Sequence, residues 1–240
     1  DAKADLLIYG MGEKAVVEIA EALDAGIAAR DIGWIRGTVV KQLAEKEQDL
    51  LAELRADKDT LILPPFEEIS AASSKGTYAE SFRIQSRNND AIIGKRLVEP
   101  YGTNLFVIQN PPMHPLTQLE LDDVYELPYE YRSHPSYDRS GGVPGMEEVQ
   151  FSLISNRGCF GDCSFCALTY HQGRSVQGRS KESIVKDARS MIHRPGFKGY
   201  IHDVGGPTAN FRGPACTKQL QHGVCKDKDC LFPNPCSQLI

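Results

Sequence analysis

The chain has 240 residues, 41% of them hydrophobic and 25% charged, with a formal net charge of −5. That length allows one large domain or two small ones around a sizeable core. The acidic balance gives no basic footprint, so no nucleic-acid partner and no anionic membrane surface is expected.

No run of roughly 18 apolar residues occurs, so no membrane span is expected. Seven cysteines fall into two groups, within residues 159–166 and 216–236. In odd number and without a visible secretion signal, they fit metal or cluster ligation in a reducing compartment better than disulfides. Cytoplasm is the expected location. The chain opens on Asp1 rather than Met and stops just after a cysteine-dense stretch, so an excerpt of a longer protein is expected.

Residues 6–9 read as a short buried strand. Gly10-Met11-Gly12-Glu13 then turns into a helix in which Val16, Val17, Ala20 and Leu23 recur at helical spacing, with Gly26 placed as its C-terminal cap. A lone Gly-x-Gly is weak evidence for phosphate binding and is read as a tight turn. Residues 38–56 carry Val39, Val40, Leu43, Leu50, Leu51 and Leu54 among many charges, which predicts a second, solvated helix. Residues 61–63 form a strand end before Pro64-Pro65. Helix is expected over much of 67–89, interrupted at Ser73-Ser74-Lys75-Gly76, and residues 105–108 read as another strand.

Residues 110–147 read as a connector, punctuated by prolines at 111, 112, 115, 128, 135 and 144 and by Gly141-Gly142. Tyr125, Tyr129, Tyr131 and Tyr137 would pin it to a surface. His134, followed by Pro135, is read as a structural loop histidine.

A second region opens with a strand through Val149, Phe151, Leu153 and Ile154. After the first cysteine group, Ser180 is placed to cap a helix whose apolar face is Ile184, Val185, Ala188, Met191 and Ile192, closed by Arg194-Pro195-Gly196. A strand over 200–204 then runs into Gly205-Gly206-Pro207-Thr208. This is a βαβ pattern, which predicts parallel strands and a right-handed crossover. The cysteine loop and the glycine doublet should then project over one rim of the sheet, where α/β folds place their chemistry.

Residues 156–174 read NRGCFGDCSFCALTYHQGR and place Cys159, Cys163 and Cys166 in a Cys-x3-Cys-x2-Cys pattern. Each thiolate can bind one iron of a cubane cluster, and such clusters usually take four cysteines. Three leave one iron open to a ligand, as a catalytic zinc keeps a position free. The competing readings are a structural zinc, completed by His171 or a later cysteine, and reduced thiols without metal. Cys216, Cys225, Cys230 and Cys236 make a Cys-x8-Cys-x4-Cys-x5-Cys pattern in a loop with little apolar content. A zinc or a closed second cluster would order that loop, and free thiols in an irregular loop stand as the alternative.

With Phe165 just before the third thiol, the motif resembles the signature of the radical S-adenosylmethionine superfamily. The segments NPPMHPLTQLELDDVYELPY, HPSY, RGCFGDCSFCALTYHQGR and IHDVGGPTANF resemble its YgiQ-type branch. The resemblance implies an α/β fold, with the trailing part of an N-terminal domain over 1–109 and a connector over 110–147. Residues 148–240 would then begin an incomplete (β/α) partial TIM barrel.

It also implies a [4Fe-4S] cluster on Cys159, Cys163 and Cys166, with S-adenosylmethionine chelating the open iron. An electron donor such as a flavodoxin or ferredoxin would drive cleavage to a 5′-deoxyadenosyl radical. Phe165 would face the adenine, and the backbone of Gly205 and Gly206 would approach the methionine end. Many members continue Gly-Gly with Glu; here Pro207 and Thr208 follow, so the ammonium contact must come from elsewhere. Cobalamin-dependent relatives carry a similar Gly-x-Gly-Glu turn, but their ligating histidine motif is not seen here and no cobalamin is expected.

Overall fold

The computed structural model describes residues 3–44, 47–71, 73–206 and 211–239. Strand β1 (Leu6–Ile8) leads into helix α1 (Glu13–Asp24). The helix ends as expected: the Ile27 N–H donates to Ala22 O and the Gly26 N–H to Leu23 O, both at 3.0 Å. Its buried face is not the expected one. Ala15, Ile19 and Ala22 are buried with Ile32 and Ile35, whereas Val16, Val17, Ala20 and Leu23 face outward. The two small alanines let the helix lie close to the chain beneath it, so steric fit overrides side-chain size.

Residues 38–56, expected as one helix, are strand β2 (Thr38–Leu43) followed by helix α2 (Glu47–Ala56). Thr38, Val39 and Val40 are β-branched and suit a pleated surface, and β2 has a hydrogen-bonded neighbour on each side. Strand β3 (Thr60–Ile62), helices α3 (Phe66–Ser70) and α4 (Lys75–Arg87), and strands β4 (Arg96–Tyr101) and β5 (Leu105–Gln109) complete this layer. The split of α3 from α4 falls at the expected interruption.

Among the described residues the sheet order is β1-β2-β5-β4-β3, with β3 and β4 parallel and the other pairs antiparallel. Val40, Leu54, Val98, Phe106 and Ile108 form the core between this sheet and α2. Strand β4 was not anticipated, because Arg96, Glu99 and Pro100 disguise it. Pro100 lies past the end of the β3 pairing, where a missing N–H costs nothing.

The proline-rich stretch holds helix α5 (Gln118–Tyr125), opened by a capping box. The Glu120 N–H donates to Thr117 Oγ1 at 3.3 Å, and the Thr117 N–H donates to Glu120 Oε2 at 2.7 Å. The Thr117 backbone donor and then Lys14 hold the Glu120 carboxyl down at about 2. His134 accepts from the Ser136 N–H at 3.2 Å, the structural role expected of it.

Helix α6 (Gly145–Val149) takes up Val149, so strand β6 begins later than expected, at Ser152–Ile154. Helix α8 (Lys181–Met191) is capped as expected, with the Ser183 N–H donating to Ser180 Oγ at 3.1 Å. The last strand of this unit, β9, is Asp203–Gly205 rather than 200–204, and it pairs parallel with β6 in the register Leu153↔Val204 and Ile154↔Gly205. Phe151, Leu153 and Met191 pack between strand and helix. Pro207 and Thr208 lie outside the described residues.

The choice of buried face on α1 is directly testable. Ala15 is 0% exposed and Val16 52% exposed. Ala15→Leu should destabilise the protein by about 1–3 kcal/mol through overpacking, whereas Val16→Lys should stay within about 0.5 kcal/mol. Urea titration of both variants measures this; the reverse order would mean that the opposite face is the packed one.

Candidate iron–sulfur and cofactor site

The cysteine segment is tied at its two ends. Strand β7 (Asn156–Arg157) pairs antiparallel with strand β8 (Gln177–Gly178), and helix α7 (Leu168–His171) lies between them. Gly158 opens the loop with φ +83°, and an added Cβ would lie 2.4 Å from Ser175 O. No side chain fits there, because the obstruction is backbone.

The segment Gln172-Gly173-Arg174 clamps this loop. Gln172 Oε1 accepts from the Gly158 N–H at 3.2 Å, and Gly173 O accepts from the Cys159 N–H at 3.1 Å. Arg174 pairs with Asp162 at 3.1 Å and with Asp229 at 3.4 Å. This segment thus supports the cysteine loop through hydrogen bonds and ion pairs.

Within the loop, the Gly161 N–H donates to Cys159 Sγ at 3.4 Å, and the Cys166 N–H donates to Cys163 O at 2.9 Å. A Cβ on Gly161 would sit 3.3 Å from Cys159 Sγ and 3.7 Å from Cys163 Sγ. Two sulfurs therefore lie within 3.7 Å of one point beside this glycine, the nearer already at contact distance. All seven thiols are free; Cys159 is buried, Cys166 half-buried and Cys163 exposed. Phe165 is 91% exposed beside them.

Among the described residues, no three His, Cys, Asp or Glu side chains converge as they would on one metal ion. Around a single zinc, thiolate sulfurs stand about 3.8 Å apart, given Zn–S bonds of about 2.3 Å. A cubane holds each thiolate on a different iron and so needs a wider spread. Three thiols in a Cys-x3-Cys-x2-Cys run are a donor set of the kind such a cluster takes.

Gly205 and Gly206 lie beside the same strand ends. The Ser155 N–H donates to Gly205 O at 2.6 Å. The place a Gly206 side chain would take is filled by the Asn156 amide, whose atoms lie 2.4–2.6 Å from that Cβ position. An open cleft of about 370 Å³ runs along this edge, lined by Met11, Tyr125, Leu153, Asn156, Gly205 and Gly206 among others. Asp203 also lines it, an acidic side chain that the sequence reading passed over.

Arg157, two residues before Cys159, is buried and ion-paired with Glu13 at the start of α1. The Arg157 guanidinium lies 5.3 Å from the Tyr125 ring centroid and the Arg179 guanidinium 4.2 Å from it. Arg179 in turn bonds Asp187 at 3.2 Å, which Arg194 also holds at 2.6 Å. No local sequence signal links Glu13 to Arg157 across 144 positions. The Gly-x-Gly-Glu turn nevertheless meets this region: a Cβ on Gly10 would lie 3.3 Å from His171 O.

The second cysteine group packs against the first. Phe160 stacks on Phe211 with centroids 3.8 Å apart, and Cys230 adjoins the cluster of Phe160, Val176 and Ala215. Burial raises the Cys230 thiol above its ordinary value; Arg174 opposes the rise, and Cys216, Cys225 and Cys236 add to it. Asp90 fastens this stretch by accepting from the Val224 N–H at 3.2 Å.

A family model described as Radical SAM N-terminal matches residues 1–152. The chain belongs to the Radical SAM N-terminal family. A UPF0313 protein from Clostridium botulinum (strain ATCC 19397 / Type A) is 50% identical over 240 residues, covering 100% of this chain and 35% of the relative. A UPF0313 protein from Clostridium perfringens (strain 13 / Type A) is 48% identical over 239 residues, covering 34% of its own length. The chain thus spans about a third of the length of the curated relatives it matches. No solved structure matches it. No helix among the described residues is long and apolar enough to cross a membrane.

Gly158→Ala should force a left-handed alanine into Ser175 O and cost more than the roughly 1–2 kcal/mol of the backbone conformation alone. Thermal unfolding at matched protein concentration measures it. An unchanged midpoint would contradict the packing of Gly158 against Ser175.

Proposed function

We propose that the protein is a radical S-adenosylmethionine enzyme in which Cys159, Cys163 and Cys166 hold a [4Fe-4S] cluster with one iron open. The chemistry such a cluster supplies when bound is one-electron cleavage of the sulfonium, giving a 5′-deoxyadenosyl radical that abstracts hydrogen from a substrate. The electron would come from a flavodoxin- or ferredoxin-type donor. The observation that supports this reading is the Cys-x3-Cys-x2-Cys donor set in a clamped loop, with the Cys159 and Cys163 sulfurs both within 3.7 Å of the Gly161 Cβ position.

In this reading the chain's own residues position and shield. The Gly161 N–H bonds Cys159 Sγ and would tune the cluster's potential. Gln172 and Gly173 hold the loop backbone, leaving the side chains of Cys163 and Phe165 exposed. The cleft beside Gly205 and Gly206 would take the cofactor, with Phe165 against its adenine. Residues 148–240 would begin the barrel, after an N-terminal domain over 1–109 and the connector over 110–147. Cys216, Cys225, Cys230 and Cys236 would form a separate, closed cluster site.

Anaerobic reconstitution with iron and sulfide tests this. The reduced protein should show a cluster signal in electron paramagnetic resonance that shifts when S-adenosylmethionine is added. Cys163→Ala should abolish that shift, and Cys225→Ala should leave it. A signal indifferent to S-adenosylmethionine would make the protein a closed-cluster electron carrier. Zinc in place of iron would make it a structural metal module.

A further inference from the structure

The two cysteine groups are joined through one residue. Arg174 Nη2 pairs with Asp162 Oδ2 at 3.1 Å and with Asp229 Oδ1 at 3.4 Å. Asp162 stands directly before Cys163, and Asp229 directly before Cys230. Among the described residues, the ion pairs that link these two stretches all run through this guanidinium. The Arg174 backbone carries a second tie. Its carbonyl accepts from Gln219 Nε2 at 3.0 Å, and Gln219 Oε1 accepts at 3.0 Å from the N–H of Ala215, the neighbour of Cys216.

Two features make this joint more than packing. Asp162 has φ +50°, a left-handed backbone that a residue with a side chain adopts at a cost. The turn between Cys159 and Cys163 is thus held in an unfavourable shape, and Arg174 is the cation that grips its side chain. The second feature is an asymmetry of burial. The Arg174 side chain is 12% exposed and that of Asp229 is 45% exposed. A buried cation needs its anions, but a half-exposed carboxylate contributes little unless its own chain is held in place. Asp229 lies in a stretch with little apolar content, so a ligand on the second cysteine group is what would hold it.

We infer that Arg174 is a positioning residue that couples the two cysteine groups: filling the second slows loss of the cluster from the first. This deepens the proposed function and rests on it. The ligand of the second group fixes Asp229, so the bridge to Asp162 forms without further loss of chain entropy. Asp162 then keeps its left-handed turn, and the first three cysteines keep their arrangement.

The test follows the first cluster in reconstituted, full-length protein challenged with the iron(II) chelator bathophenanthroline. The paramagnetic resonance signal that responds to S-adenosylmethionine identifies that cluster. Emptying the second group, by Cys225→Ala with Cys236→Ala, should speed its loss by roughly five- to twentyfold, the range of ordinary coupling between sites. Asp229→Asn keeps all seven thiols, cuts the bridge at its half-exposed end and should speed the loss to a similar extent. In an Asp229→Asn or an Arg174→Gln background, emptying the second group should change the rate by no more than about twofold, because both changes then act on one link.

Loss at the wild-type rate when the second group is empty would overturn the inference. Effects that multiply in the combined variants would overturn it too, since the bridge would then be a local strut indifferent to the second group. A wild type without any cluster that responds to S-adenosylmethionine would defeat the proposed function, and the inference with it.

Discussion

The contact on which the site depends is backbone against backbone: Gly158 lies on the carbonyl of Ser175, while Gly173 O takes the Cys159 N–H. Three thiols within eight residues can point toward a common volume only if the chain curls sharply. A curl of that kind exposes amides that must find partners. Gln172 and Gly173 supply them, and the short β7–β8 ladder closes the segment behind. The loop is thereby shaped by its own flanks, before any cluster is considered. Arg174 extends the support outward, joining Asp162 between the first two cysteines to Asp229 in the second cysteine stretch.

The N-terminal layer is coupled to this loop through buried charge. Arg157 is paired with Glu13 of α1 and faces Tyr125 of α5, and Tyr125 also faces Arg179. Buried ion pairs add little net stability, because desolvation offsets their attraction, but losing one partner is costly. Their effect here is geometric: the N-terminus of α1, the end of α5 and the start of the cysteine loop are held in one register. The Gly-x-Gly-Glu turn therefore has a structural use, which accords with reading it as a turn and not as a phosphate cradle.

Much of the second region was legible because its signals are local. Cysteine spacing, a serine cap three residues before the N–H it accepts, and two apolar strands flanking a helix each depend on nearby residues. The parallel β6–β9 pair and the Ser180 cap accord with that reading. The first region was harder because tertiary pairing decides it. Thr38, Val39 and Val40 sit in a strand only because β1 and β5 flank them. The α1 face was misassigned because apolar size, which the pattern reports, differs from closeness of packing, which favours Ala15 and Ala22. Glu13 sits in a recognisable turn, but nothing near it in the chain announces Arg157, its partner 144 positions away.

The central claim is that Cys159, Cys163 and Cys166 grip a cubane at three corners and leave the fourth to a small-molecule ligand. Mössbauer spectroscopy of the protein reconstituted with iron-57 tests this most directly, with and without S-adenosylmethionine. The account predicts that one iron in four of this cluster changes its isomer shift on addition, consistent with a gain of nitrogen and oxygen ligands, while three remain sulfur-ligated and unaltered. Four equivalent sulfur-ligated irons that ignore S-adenosylmethionine would contradict it.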